Sequence, residues 1–134
     1  MTTFNLLLNL IMHNGLSSKK LPAQPNYFFG NGQLDLIPKA YRLYQNYPNP
    51  FNLETTIPFD LPENSDVEIM IFNILGQKVI TLTDKKYLAE SYKIIWDGVN
   101  DAGQMVSSGI YLCRMKTGEF NDSKKLVLMR RILY

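Results

Sequence analysis

From about Leu43 onward, short apolar runs alternate with polar residues, and turn formers interrupt them at roughly 8–14-residue spacing. Ile57, Phe59 and Leu61 alternate with Thr56, Pro58 and Asp60, the period of a half-buried strand. Pro58 has no N–H to donate, which predicts a place at a sheet edge. Glu63, Asn64, Ser65 and Asp66 turn the chain, and Val67, Ile69 and Ile71 then share one face of the next strand. Met70 and Phe72 lie on its other face, so both sides of this strand are expected to be partly covered.

Gly76 and Gln77 read as a hairpin turn, with residues 79–82 as the returning strand. A polar loop over 84–86 then leads to a strand in which Tyr92, Ile94 and Trp96 share a face. Residues 97–109 form a turn-rich connection containing Gly98, Gly103 and Gly109. Beyond it Tyr111, Cys113 and Met115 are expected inside, Leu112, Arg114 and Lys116 outside, with a final strand over 123–129. No stripe at i, i+3, i+4, i+7 persists in this half, so helices should be nearly absent. The fold class is all-β, an antiparallel immunoglobulin-like sandwich of six to seven strands.

Residues 1–42 lack this pattern. Pro22, Pro25, Asn26, Gly30, Asn31, Gly32 and Pro38 interrupt their second half, so neither a long helix nor a paired strand is expected there. The organisation is an irregular leader over 1–42, a sandwich over 43–131 and a short tail over 132–134. The apolar segment from Phe4 to Met12 carries Asn5 and Asn9, with no basic residue before it and no small-x-small site after it. It is a weak signal peptide, and it falls far short of the ~20 residues of a membrane helix. No transmembrane helix is expected.

Composition narrows the function classes. The 134 residues are 46% hydrophobic and 19% charged, an ordinary globular balance. A net charge of +2 does not favour nucleic acid, and only Lys124, Lys125, Arg130 and Arg131 cluster. The single cysteine, Cys113, excludes an internal disulfide. It sits mid-strand as a small hydrophobe, where a reactive thiolate would need an exposed, electropositive setting. The one histidine, His13, lies in the leader, and no nucleophile elbow, phosphate loop or carboxylate pair is present. No catalytic residue, metal site or cofactor is expected.

Two motifs remain. Tyr47-Pro48-Asn49-Pro50-Phe51-Asn52 places two prolines around an asparagine, which stiffens the segment and leaves Tyr47 and Phe51 to pack on the sandwich. It reads either as a rigid cap on the fold or as a surface recognised by a partner. Trp96-Asp97-Gly98 ends a strand with a core anchor and opens a turn. Asp97, Asn100 and Asp101 miss the spacing of a calcium loop, and Asx turns account for them. Asn121, Asp122 and Ser123 fit an N-glycosylation pattern that is common by chance.

Together these residues resemble a known family. Leu43-Tyr44-Gln45-Asn46-Tyr47-Pro48-Asn49-Pro50-Phe51-Asn52, then Thr55-Thr56-Ile57, is similar to the opening of type A C-terminal sorting domains of the type IX secretion system. The similarity continues through Gly76, Trp96-Asp97-Gly98, Gly103, Gly109, Tyr111 and the closing Lys124-Lys125-Leu126-Val127-Leu128. The second half also resembles the immunoglobulin-like domain of flagellar hook-capping proteins. The resemblance implies an exported, non-catalytic address. It directs attached cargo from the periplasm through an outer-membrane translocon to the cell surface or medium, and a sortase-like peptidase commonly removes it. It marks Asn46 to Asn52 as the sorting motif, and leaves Lys124, Lys125, Arg130 and Arg131 either as a contact for the translocon or as a solvated edge that guards against aggregation. An upstream cargo domain is expected as well, making this chain the tail of a larger protein. The alternative is a resident immunoglobulin-like adhesion or assembly domain that holds a protein partner.

Overall fold

A computed structural model describes residues 28–29, 33–34 and 36–131. Strands β1 (Phe28–Phe29) and β2 (Gln33–Leu34) form a two-residue antiparallel ladder in a first compact unit. That corrects the expectation of no paired strand before residue 43. The prolines and glycines that forbid a long strand do not forbid so short a ladder.

The second unit is an antiparallel sandwich. One sheet has the order β3 (Arg42–Leu43), β4 (Thr55–Leu61), β7 (Glu90–Trp96). The other has the order β6 (Lys78–Tyr87), β5 (Ser65–Asn73), β8 (Gly109–Thr117), β9 (Phe120–Leu128). This is the expected all-β sandwich, with six long strands and a seventh of two residues. No helix occurs among the described residues.

Strict alternation sets the core. Ile57, Phe59 and Leu61 of β4 and Trp96 of β7 face Val67, Ile69 and Ile71 of β5, with Cys113 and Met115 of β8 and Leu126 and Leu128 of β9. Each such fully buried side chain contributes about 1.5–3 kcal/mol relative to exposure. The opposite faces of β5 and β8 are half-buried or exposed, as the polar phase of the alternation requires.

Two expectations change. Pro58 is not in an edge strand, because β4 lies between β3 and β7. Its carbonyl accepts the Tyr44 N–H at 3.0 Å, so the missing N–H faces the side where β3 ladders only two residues. The central strand tolerates proline there because its neighbour is short. Residues 84–86 are not a loop but the far half of β6, with Lys85 opposite Val67 and Lys86 opposite Asp66. Strand β6 is an edge, and edge strands carry charge against unwanted pairing, which makes such a segment look like a loop in sequence.

Candidate functional site

The stretch over 45–52 opens beside β4, held by a reciprocal pair of backbone hydrogen bonds between Tyr47 and Thr56 at 2.9 Å. Asn46 is buried and organises the turn from inside. Its amide donates to Thr55 Oγ1 at 2.8 Å and to the Pro48 carbonyl at 3.2 Å, and Thr55 Oγ1 donates to that same carbonyl at 2.9 Å. Both Tyr47-Pro48 and Asn49-Pro50 are cis. Phe51 is 2% exposed and packs on Trp96 with ring centroids 5.6 Å apart, and Trp96 meets Tyr111 edge-on at 5.3 Å. Tyr47, expected to pack, instead stays 48% exposed.

The same stretch then clasps the end of β9. Gln45 Nε2 donates to the Lys125 carbonyl at 2.7 Å, and the Val127 N–H donates to Asn49 Oδ1 at 2.9 Å. The Phe51 N–H donates to the Val127 carbonyl at 2.9 Å, and the Met129 N–H donates to the Phe51 carbonyl at 2.8 Å. The Arg131 N–H completes the series on Asn52 Oδ1 at 3.0 Å. These bonds fall on alternate residues of the terminal segment, as a ladder does, with Phe51 and Leu128 forming a parallel bridge. The lead-in is therefore a short added strand completed by two asparagine side chains. The outer edge of the end of β9 and of the segment after it, over 125–131, is occupied by the chain itself, so the backbone of that stretch is not open to a partner's strand.

The connection between β7 and β8 is tied to the same segment. Trp96 Nε1 donates to the Val99 carbonyl at 2.9 Å, and Tyr111 Oη donates to the Ser107 carbonyl at 2.6 Å. Asn100 Oδ1 accepts the Ala102 and Gln104 N–H groups, each at 2.9 Å, which is the Asx turn read from sequence. Arg130 closes this loop, with Nε on the Val106 carbonyl at 2.7 Å and a terminal guanidinium nitrogen on the Gly98 carbonyl at 2.8 Å. Its backbone N–H donates to Ser108 Oγ at 2.8 Å. Gly98 has φ +75°, and a Cβ there would meet the Arg130 guanidinium at 2.8 Å. The positive φ favours glycine, and a Cβ would push the guanidinium off its carbonyl.

The predicted site residues thus separate. Asn46, Asn49, Phe51, Asn52, Trp96, Gly98, Tyr111 and Arg130 form one connected construction at the start and end of the domain. Tyr47, Pro48, Asn49 and Pro50 present its exposed surface. Gly103 lies within the latched loop, in the Asn100 turn, Gly109 ends the loop at the start of β8, and Asp97 is exposed beside it. Gly76 belongs elsewhere, in the β5–β6 turn closed by its N–H on the Asn73 carbonyl at 3.0 Å. Of the four cations, Arg130 is committed to the loop and Lys124 lies 3.8 Å from Asp122, while Lys125 and Arg131 are exposed. Gln45 and Thr55 hold this construction too, although nothing singles out their types in the sequence beyond their place beside the motif. Cys113 is wholly buried, and burial pushes its thiol up to about 12 from an ordinary value of 9.0. His13 lies outside the described residues.

The profile of the family described as the secretion system C-terminal sorting domain matches residues 45–129. The chain belongs to that family. The matched span runs from the first residue of the clasp to the strand it holds, and the type IX resemblance read from the motifs stands. A sorting domain is an address rather than a catalyst, recognised by the machinery of its secretion system. No curated protein matches the chain.

One solved structure shares the fold, and a second was also matched. Dimeric latent PorU from Porphyromonas gingivalis is similar at 19% identity and a TM-score of 0.57, over 75% of this chain and 10% of PorU. PorZ, described as an essential bacterial surface component of the type-IX secretion system of the same organism, is similar at 19% identity and a TM-score of 0.47. That match covers 66% of this chain and 11% of PorZ. This sorting-domain chain therefore spans about a tenth of the length of either protein. Among its described residues no helix is long and apolar enough to cross a membrane.

Proposed function

We propose that residues 43–131 are a non-catalytic C-terminal address that carries attached cargo across the outer membrane by the type IX system. The observation that carries this reading is the clasp. The motif that marks the family, Asn46 to Asn52, is hydrogen-bonded along the terminal segment from Lys125 to Arg131. Its exposed part is stiff, formed by Tyr47, Pro48, Asn49 and Pro50 beside the free cations Lys125 and Arg131. A translocon at the outer membrane is the partner this reading implies, with a sortase-like peptidase removing the domain after passage. The protein is then exported, in transit through the periplasm to the surface or medium. On this reading the domain takes no part in catalysis, and burial of its one thiol raises that group's pKa.

The test fuses the full chain behind a signal peptide and a reporter in a bacterium with a type IX system. Reporter at the surface or in the medium, lost in a translocon-deficient strain, is the expected result. Reporter held in the periplasm of both strains would instead support a resident immunoglobulin-like binding domain. If mature surface protein retains residues 47–131, cleavage by a sortase is wrong even where sorting holds.

A further inference from the structure

The outward face of the four-stranded sheet is not uniformly polar. Phe72 of β5, Leu112 of β8 and Lys125 of β9 lie in one cross-strand row, since Leu112 is opposite both of the others. Ile110 lies two residues back along β8 on the same face, opposite Val127. With Ile74 and Arg114 these residues line an open groove of about 480 Å³. Its apolar walls are accessible, with Ile110 47%, Leu112 41% and Ile74 77% exposed. Single exposed hydrophobes need no explanation, but a contiguous set around a concavity marks a binding surface.

The charges are one-sided. Arg114 and Lys125 are the charged residues that line the groove, no carboxylate lines it, and neither makes an ion pair among the described residues. Other cations of the domain do have acidic neighbours, as Lys78 has Asp101 at 3.5 Å and Lys86 has Asp66 at 3.4 Å. The Arg114 guanidinium rests over the Phe72 ring, 4.8 Å from its centroid, which holds the planar fork in place at the groove wall. A positioned guanidinium above apolar walls fits a carboxylate next to an apolar side chain. The groove also adjoins the clasp, because the Lys125 carbonyl is the one that Gln45 holds.

We infer that this groove docks an acidic, apolar segment of a partner protein, placing an apolar side chain on Phe72, Ile110 and Leu112 and a carboxylate against Arg114 and Lys125. The inference deepens the sorting reading and rests on it for the partner's place in secretion, while the binding chemistry stands by itself. Concavity favours a protein segment over a membrane surface, which would present no side chain to fill the groove.

Two measurements on the full chain test it. The first follows amide shifts on adding an extended peptide of alternating leucine and aspartate, its leucine–lysine counterpart, or phosphatidylglycerol vesicles. The expected result is saturable shifts at Ile110, Leu112, Arg114 and Lys125 with the acidic peptide alone, weakened at least tenfold in Arg114→Glu/Lys125→Glu. The control Lys85→Glu/Lys93→Glu makes the same charge change elsewhere and should bind as the unaltered chain does. Shifts with vesicles but not with peptide would replace the partner with a membrane, and shifts with neither would end the proposal. The second measurement puts both double variants into the secretion fusion. Loss of surface reporter in the groove variant alone is expected. Equal secretion by both would remove the groove from sorting and leave the address reading intact. Failure of the unaltered fusion would remove the address reading and leave the peptide result to decide the groove.

Discussion

Replacing Phe51 by alanine separates a packing role for the motif from a purely presented one. Phe51 is 2% exposed, its ring lies on Trp96, and its backbone N–H and C=O both bond to the terminal segment. Removing a buried phenylalanine side chain costs about 3–5 kcal/mol, from lost transfer and the cavity left behind. A domain of this size has a total stability of about 5–15 kcal/mol, so the change consumes a large part of it. At roughly 4–8 °C per kcal/mol for a domain of 60–100 residues, the midpoint should fall by about 12–40 °C. Tyr47→Ala is the internal comparison. Tyr47 is 48% exposed, and a surface truncation of this kind changes stability by about 0.5 kcal/mol. Thermal unfolding followed by circular dichroism reads both variants. A Phe51→Ala midpoint within a few degrees of the unaltered chain would refute the placement of Phe51 in the core. Carried into the secretion fusion, Tyr47→Ala should stay folded and lose export if the exposed ring is read directly.

Three further outcomes follow from single features. Asn49→Ala removes the side-chain acceptor of the Val127 N–H, a loss of about 0.5–1.5 kcal/mol. Native-state hydrogen exchange at the Val127 amide should quicken roughly 2- to 13-fold if the clasp opens locally, and an unchanged rate would count against it. Gly98→Ala forces φ +75° on a residue with a Cβ and meets the Arg130 guanidinium at 2.8 Å. It should cost about 1–2 kcal/mol in backbone strain alone. A double-mutant cycle with Arg130→Ala should be non-additive, and simple additivity in urea denaturation would deny the contact. Cys113 should resist alkylation in the native protein and react once unfolded. Because folding raises its thiol from 9.0 to about 12, the folded state keeps a proton that the unfolded chain loses between those values. Stability should therefore fall with rising pH in that window more steeply than in Cys113→Ala, the two curves running parallel well below 9.0. Parallel curves across the window would place the thiol outside the core.

The long strands were legible because their side chains alternate between a full core and solvent. Val67, Ile69 and Ile71 in β5 and Tyr111, Cys113 and Met115 in β8 face inward as their spacing predicts. The far half of β6 was not legible, since Asp84, Lys85 and Lys86 carry an edge strand's charge and no period. Two-residue β3 is too short to show alternation at all, and its shortness is what makes room for Pro58 in a central strand. The motif could be found in the sequence, but its partners could not. Asn49 and Val127 are 78 positions apart, and their bond joins a side chain to a backbone, leaving no pattern in either stretch. Nor do residue types separate Arg130 from Arg131, although one is spent on a loop and the other faces solvent.

The clasp makes the domain report on its own completeness. Its two halves are translated at opposite ends, and Asn52 meets the Arg131 backbone only across a separation of 79 positions. A product that stops before Val127 leaves Asn49 and Phe51 without the groups that hold them, so the exposed prolines lose their support. A chain cut within the sandwich loses the same geometry from the other side. If export is read through this surface, broken or unfinished molecules would be passed over with no separate inspection step, because the clasp forms only in an intact, folded tail.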